Sequence, residues 1–280
     1  MGNLGLMMLQ RVRNLMNTLA LKVYRKNPDR YMARLYRQQL RRLDHIIRFG
    51  ENPFKEPEWS LRHYEEYDGR ELRDLETKGW ISLVDGELRW ISARELRRRY
   101  VDVICKEIDA TLEAGVDPSV LEVGCGNCVN LIELKKRYGD KLSLSGFDIS
   151  PRRLEIAREY HKDALNEIDL RVASVADPSL PASYGRKFGI VFSMHCLEQI
   201  PNLVGPALDN MLALSSGRVV MIEPDWELSH PAQRVYLIIS DHMRTLLRTV
   251  RARGLNLVKA EQLKTLSSLK NPSSLIVVQV

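Results

Sequence analysis

Val120-Leu121-Glu122-Val123-Gly124-Cys125-Gly126-Asn127-Cys128, with Leu144-Ser145-Gly146-Phe147-Asp148-Ile149-Ser150-Pro151 after it, decides how this chain folds. The first stretch is an apolar run entering a Gly-x-Gly turn. The second is another apolar run, and it ends in an acid. Glycine has no Cβ, so such a turn at the mouth of a helix lets a ligand approach bare backbone. An acid at the end of the next strand lies beside the same mouth, placed to accept hydrogen bonds from ribose hydroxyls. The pair predicts a pocket for an adenosine-type ligand.

The same alternation runs on toward the last residue. Strands are expected at 119–123, 142–147, 169–174, 188–193 and 218–223, and near 255–261 and 274–280. Helices are expected at 127–138, 151–165, 203–214 and 230–252. This predicts an α/β fold, a Rossmann-like doubly wound seven-stranded mostly parallel sheet, with helices on both faces. Ligands of such sheets bind at the carboxyl ends of the strands. The charge of the ligand follows from two residues. A dinucleotide fingerprint places a small residue where this chain has Val129, and a pyrophosphate gains nothing from Glu122 just before the turn. A ligand carrying an ammonium and a sulfonium does gain, and that describes S-adenosyl-L-methionine.

Residues from about 100 to 280 resemble a class I S-adenosylmethionine-dependent methyltransferase of the small-molecule or sugar type. Motif I of that family, acid-x-Gly-x-Gly-x-Gly, is matched at Glu122, Gly124 and Gly126 and departs at Cys128. Asp148-Ile149-Ser150-Pro151 is similar to the second-strand motif. Phe188 to Asn202 is similar to the fourth strand and its loop, with Gln199 where many relatives carry histidine. Gly217 to Asp225 resembles the fifth strand and its terminal acid–proline. The resemblance implies Glu122 near the methionine amine and Gly124, Cys125 and Gly126 in the loop. It also implies Asp148 on the ribose, Ile149 on the adenine face, and Ser174, Val175 and Ala176 at the adenine edge. Ser193 falls where the substrate-side loop begins, and the product is S-adenosyl-L-homocysteine.

Methyl transfer from a sulfonium needs a nucleophile held in line and, for a hydroxyl or ammonium, a base to take its proton. His195, past the fourth strand, is the first candidate for that base. Glu223 is the second, with Asp225 and His230 as alternatives. A histidine merely packed over the cofactor is the competing reading of His195. The segment from Asp225 to Arg253, containing His230, Tyr236 and His242, looks like an inserted helix of an acceptor pocket. Its arginines suit a carboxylate or phosphate. The fourth-strand loop lacks an Asn-Pro-Pro-Tyr-like motif. Oxygen methylation of a small molecule or sugar, including an anionic glycan intermediate, is therefore favoured over nitrogen methylation. An RNA methyltransferase, a non-catalytic S-adenosylmethionine-binding module and a nicotinamide oxidoreductase stay open. Cys125-x-x-Cys128, with His195 and Cys196, is a weak metal signal, and no metal is expected.

Charge divides the chain, suggesting a basic, mainly helical region over 1–100 and the methyltransferase domain over 101–280. The first fifty residues carry eleven Lys and Arg against two Asp. Arg30, Arg34, Arg37, Arg41 and Arg48 recur at helical spacing, with Met32, Leu35, Tyr36, Leu43, Ile46 and Ile47 assigned to the other side. A preceding helix would bury Leu9, Val12, Met16, Leu19 and Val23. The basic stripe reads either as a solvated face or as a surface for anions: an anionic membrane contacted peripherally through residues 1–50, acidic glycans, or RNA. Residues 79–91 predict a hairpin around Asp85-Gly86 after a short helix, a small winged element whose Trp80 and Trp90 read as hairpin packing or a substrate lid. Ser92-x-x-Glu95 predicts the start of a long helix ending at Gly115. No apolar run reaches the ~18 residues needed to span a bilayer, and Arg11 and Arg13 break any secretory signal. Leu6 disfavours myristoylation, and four cysteines suit a reducing cytoplasm.

Overall fold

The structure, a computed structural model, describes residues 15–49, 65, 67, 69–84, 86–264 and 268–280. Expectations that rest on Leu9, Val12, Arg11, Arg13 and Asp85 lie outside the described residues. Every residue of strand β3 (Ser119–Val123) is buried. A strand apolar at successive positions must be covered on both faces, which places it inside a parallel sheet. The neighbours bear this out: β3 pairs in parallel with β4 (Ser143–Asp148) on one side and β6 (Phe188–Met194) on the other. Strand β5 (Asp169–Val172) extends the sheet beyond β4, and β7 (Ser215–Glu223) extends it beyond β6. The antiparallel strands β9 (Ser274–Gln279) and β8 (Asn256–Gln262) complete the order β5-β4-β3-β6-β7-β9-β8. This is the seven-stranded, mostly parallel sheet that the alternation predicts.

Side chains of each central strand alternate between two apolar cores. Val120, Ile190, Phe192, Val220, Ile222 and Val277 face one. That side is closed by α2 (Ala93–Glu113), α3 (Val129–Tyr138) and α4 (Pro151–His161). Leu121, Val123, Val191, Met221 and Ile276 face the other. There α5 (Leu180–Tyr184), α6 (Val204–Leu214) and α8 (Leu246–Ala252) pack. Ser92 accepts the Glu95 N–H at 3.1 Å to start α2, and Ser150 accepts the Arg153 N–H at 3.2 Å with Pro151 first in α4. The hairpin of β1 (Gly79–Val84) and β2 (Glu87–Ser92) runs directly into α2, which continues through residue 100 without a break.

Three expectations change. The helix predicted over 230–252 is two helices, α7 (Pro231–Ile239) and α8, separated by a turn in which Asp241 has φ +45°. The turn is held by His242 N–H on the Leu237 carbonyl at 2.9 Å and Met243 N–H on the Glu198 carbonyl at 3.2 Å, so a contact from β6's loop replaces helical bonds. The helix predicted from 127 starts at Val129, because Cys128 takes φ +58°. In the N-terminal region, α1 (Pro28–Phe49) buries Met32, Leu35 and Ile46 as expected, but Tyr36 and Ile47 face outward. Of the preceding helical residues 15–24, Ala20 is buried, whereas Met16, Leu19 and Val23 are exposed. No described element covers that face. No described helix is long and apolar enough to cross a membrane.

Leu121, fully buried at the centre of β3, tests the packing: Leu121→Ala is expected to lower unfolding stability by about 2–5 kcal/mol in a urea titration, through lost burial and the cavity left behind.

Candidate functional site

Parallel strands deliver their carboxyl ends to one edge of a sheet, and in this fold three of those ends carry buried acids: Glu122 on β3, Asp148 on β4 and Glu223 on β7. Beside them lies a cavity of about 810 Å³. The acids are satisfied to different degrees.

Asp148 accepts the Gly126 N–H at 2.8 Å through one oxygen and the Ser150 N–H at 2.9 Å through the other. The guanidinium of Arg153 approaches at 3.5 Å. This ties the turn after β3 to the end of β4. Gly124 and Gly126 have φ of +67° and +51°. A Cβ at Gly124 would strike the Cys196 sulfur at 2.2 Å, and one at Gly126 the Arg153 guanidinium at 2.2 Å, so both positions need glycine for conformation and for space.

Glu122 is 1% exposed and lines the cavity. One oxygen accepts from the Asn130 side chain at 2.6 Å, and Arg97 donates to Asn130 in turn at 3.4 Å. The other oxygen is buried with no hydrogen-bond partner. Burial, only partly offset by Asn130 and Arg97, pushes its carboxyl up to about 8. A buried carboxylate oxygen left in this condition is a receptor for a cation or a donor.

On the adenine side expected from the sequence, Ile149, Ser174 and Val175 line the cavity. Ser174 Oγ accepts the Ala176 N–H at 3.3 Å, and Asn210 donates to the Val175 carbonyl at 2.8 Å, fixing that loop from below. Gly126, Ala176 and Ser193 sit behind the lining.

The opposite wall is built on β6's exit. Glu223 accepts the backbone N–H of Cys196 and Leu197 at 3.0 and 3.1 Å and that of Glu198 at 3.2 Å, so it anchors the loop rather than facing the cavity. Burial raises its carboxyl to about 7. His195, at φ +52°, lines the cavity. Its Nδ1 lies 2.8 Å from Glu198 and its Nε2 2.7 Å from the Ser273 hydroxyl, which lies 2.6 Å from the Tyr100 hydroxyl. Burial would lower the imidazole pKa, but the Glu198 carboxylate overrides it and the net shift is upward. Burial alone would raise Glu198, yet His195 draws it down to about 2. Gln199 and Asn271 donate to the same carboxylate at 2.9 and 3.2 Å.

Of the acceptor-side residues chosen from sequence, Tyr236 reaches the cavity, stacked edge-on against His242 at 5.6 Å. Asp225 does not: its carboxylate accepts the N–H groups of Glu227, Leu228 and Leu247. His230 caps α7 by accepting the Ala232 N–H at 3.1 Å. Four of the five arginines of this segment are engaged elsewhere, Arg234 on backbone carbonyls, Arg244 on Asp241, Arg251 on Glu227 and Arg253 on Asp209. The cations on the cavity wall are Lys78, Arg97 and Arg153. Sequence reading missed Asn130, Arg97, Tyr100, Glu198, Asn271 and Ser273. Only Glu198, three residues after His195, had a local signal. Trp80 lines the cavity, whereas Trp90 packs over Gly79. The Cys125 and Cys128 sulfurs are 3.9 Å apart, and no group of three or more metal-ligating side chains forms among the described residues.

Residues 120–216 match the family described as a methyltransferase domain. Aklanonic acid methyltransferase DauC of Streptomyces sp. (strain C5) is 32% identical over 87 residues, 31% of this chain and 38% of that protein. Ubiquinone biosynthesis O-methyltransferase of Actinobacillus pleuropneumoniae serotype 5b is 32% identical over 85 residues, 30% and 35% of the two chains. The matches thus span less than two fifths of either relative. Among solved structures, magnesium protoporphyrin IX methyltransferase (ChlM) of Synechocystis PCC 6803 with bound SAM superposes with a TM-score of 0.53 at 14% identity, over 81% of this chain and 99% of that one. The [4+2]-cyclase SpnF superposes at 0.60 with 13% identity, over 81% and 97%. At these identities the structural likeness speaks to the fold.

The two raised carboxyls set a pH dependence of stability. In the unfolded chain they ionise near 4.5, whereas in the fold they stay protonated to about 8 and about 7. The stability they contribute is fully present below 4.5 and is lost as pH rises through those values. Glu122→Gln is expected to show a smaller fall in unfolding free energy between about pH 5 and 8 than the parent protein, measured by urea titration across that range without ligand.

Proposed function

We propose that this chain, whose residues 120–216 match the methyltransferase-domain family, transfers the methyl group of S-adenosyl-L-methionine to an oxygen of a small, hydroxyl-bearing acceptor, with His195 taking the proton. One observation carries this reading: Glu122, with its partnerless buried oxygen, and His195, backed by Glu198, line the same cavity. The first is what an ammonium needs. The second is what a departing hydroxyl proton needs.

The residues present fit the cofactor. Glu122 would hold the methionine ammonium, since a cation beside a desolvated carboxylate restores its ionised form. Gly124 and Gly126 let the turn take positive φ, with Cys196 and Arg153 packed where a Cβ would stand. Asp148 would meet the ribose hydroxyls while keeping its grip on the turn, and Ile149, Ser174 and Val175 would enclose the adenine. When bound, S-adenosyl-L-methionine supplies a methyl group on a sulfonium, an excellent leaving group. The protein then has to orient the acceptor, exclude water and accept a proton.

Glu198 does the orienting work for His195. By accepting from Nδ1–H it leaves Nε2 as the basic nitrogen, and it stabilises the imidazolium once formed. Nε2 faces Ser273, whose hydroxyl continues to Tyr100 on the cavity wall. A proton lost by the acceptor reaches the imidazole directly or through these two hydroxyls. An acceptor bearing a carboxylate or phosphate, such as an acidic sugar, would find Lys78 and Arg97 on the same wall.

Two measurements test this. Calorimetric titration with S-adenosylhomocysteine is expected to show proton release below about pH 8, read from buffers of different ionisation enthalpy, with at least ten-fold weaker binding and no such release in Glu122→Gln. Transfer of tritiated methyl from the cofactor into fractionated extract of the source cells is expected to label small metabolites or saccharides. The signal should rise with pH as His195 loses its proton, and His195→Gln should lower it roughly a hundred-fold or more with cofactor binding intact. Label in RNA would move the acceptor to nucleic acid. No label in any fraction, with binding intact, would reduce the chain to a binding module.

A further inference from the structure

Eight of the fifteen large exposed apolar side chains among the described residues fall in one short region. Leu15, Met16, Leu19, Val23, Tyr36, Leu40, Ile47 and Phe49 all lie in residues 15–49, and Leu15, Val23, Ile47 and Phe49 are each at least 60% exposed. Single exposed apolar residues are ordinary, but a group of this kind marks a surface that something covers.

Its arrangement identifies what. On α1, Tyr36, Leu40 and Ile47 stand at i, i+4 and i+11, one line along the helix. Arg30, Arg34, Arg37 and Arg41 form a second line, roughly 110° around the axis from the first. All seven are exposed, and Arg34, Arg37, Gln38 and Arg41 bound a shallow surface concavity. Arg30 and Arg34 lean over the Tyr24 ring. Among the described residues no carboxylate pairs with Arg34, Arg37 or Arg41. The acids on α1 are Asp29, beside Arg30, and Asp44, which is engaged by Arg48 at 2.9 Å. The third face of α1, with Leu35 and Ile46, is already packed on the body of the protein.

We propose that α1, with helical residues 15–24, is a docking surface for an anionic lipid bilayer. Tyr36, Leu40 and Ile47 enter the acyl boundary, and the arginine line lies among the headgroup phosphates. A helix that lies in the membrane plane has this combination of an apolar line flanked by cations. Charge complementarity separates the bilayer from other occupants. A second copy related by a twofold axis would bring one arginine line against another, and an RNA backbone would leave the apolar line in water. The surface also has a position relative to the cavity. Ile46 packs against Val235 and Ile239 of α7, and Tyr236 of the same helix lines the cavity. The docked face is thus the outer side of the wall whose inner side meets the acceptor.

The test is co-sedimentation of the full chain with vesicles of phosphatidylcholine alone, or containing about 30% phosphatidylglycerol, at low and high salt. The expected result is binding to the anionic vesicles only, weakened by salt. Arg34→Glu/Arg37→Glu/Arg41→Glu should lower the partition coefficient roughly a hundred-fold, and Leu40→Asp/Ile47→Asp at least ten-fold. These side chains are exposed, so melting temperature and S-adenosylhomocysteine affinity should stay unchanged, which keeps the outcome independent of the proposed reaction. Equal sedimentation of parent and variants overturns the proposal. So does a parent dimer in light scattering that the Leu40/Ile47 variant dissociates, or tight binding of single-stranded RNA that the same variant leaves intact.

Discussion

Glu223 grips the three successive N–H groups that follow β6, and the acceptor side of the cavity depends on that grip. Those N–H groups have left the sheet and would otherwise be buried without partners, a cost of a few kcal/mol in total. The carboxylate that satisfies them turns the chain sharply enough to put His195 at positive φ, with its ring toward the cavity and Glu198 back toward the ring. Asp148 does the same for the other half, taking the N–H groups of Gly126 and Ser150 and binding the turn after β3 to the turn after β4. Two buried acids spent on backbone thus hold the site open, and a third, Glu122, is left with an oxygen to spare.

The division of labour follows from geometry. Glu122 and Asp148 stand at neighbouring strand ends and Glu223 two strands from Glu122, in a medium of low dielectric where like charges repel strongly. Backbone donors satisfy the oxygens of Asp148 and Glu223, although burial still raises Glu223 to about 7. Glu122 has only Asn130, and Arg97 behind it, and burial therefore leaves it protonated to about 8. The opposite sign holds at Glu198, where His195, Gln199 and Asn271 converge and keep the carboxylate charged despite burial. Carboxylates within one cavity are thereby assigned different states by their surroundings.

Part of the site was legible because its signals are local. A Gly-x-Gly turn between an apolar run and a helix, an acid before it and an acid at the next strand end are separated by few residues, and the parallel sheet brings such ends together as a matter of topology. Tyr100, Asn271 and Ser273 were not legible. Tyr100 and Ser273 lie 173 residues apart, and at sequence level Tyr100 is simply an apolar position on a helix. The same blindness misplaced Asp225 and His230: polar residues past a strand end look like site residues whether they face the cavity or cap a turn. The break between α7 and α8 was hidden for a similar reason, since Met243 N–H bonds a carbonyl 45 residues earlier rather than a helical neighbour.

The amino-acid sequence by itself determined the order of strands and helices, the glycine turn and the acids that head it, because periodicity, capping and backbone freedom act over a few residues. It also determined that the N-terminal region is basic. Only the tertiary structure decided which oxygen of which acid lacks a partner, which groups each histidine nitrogen meets, and which apolar residues of the first helices stay outside. Each of those depends on what a distant segment brings alongside, and burial and pairing are properties of neighbours in space.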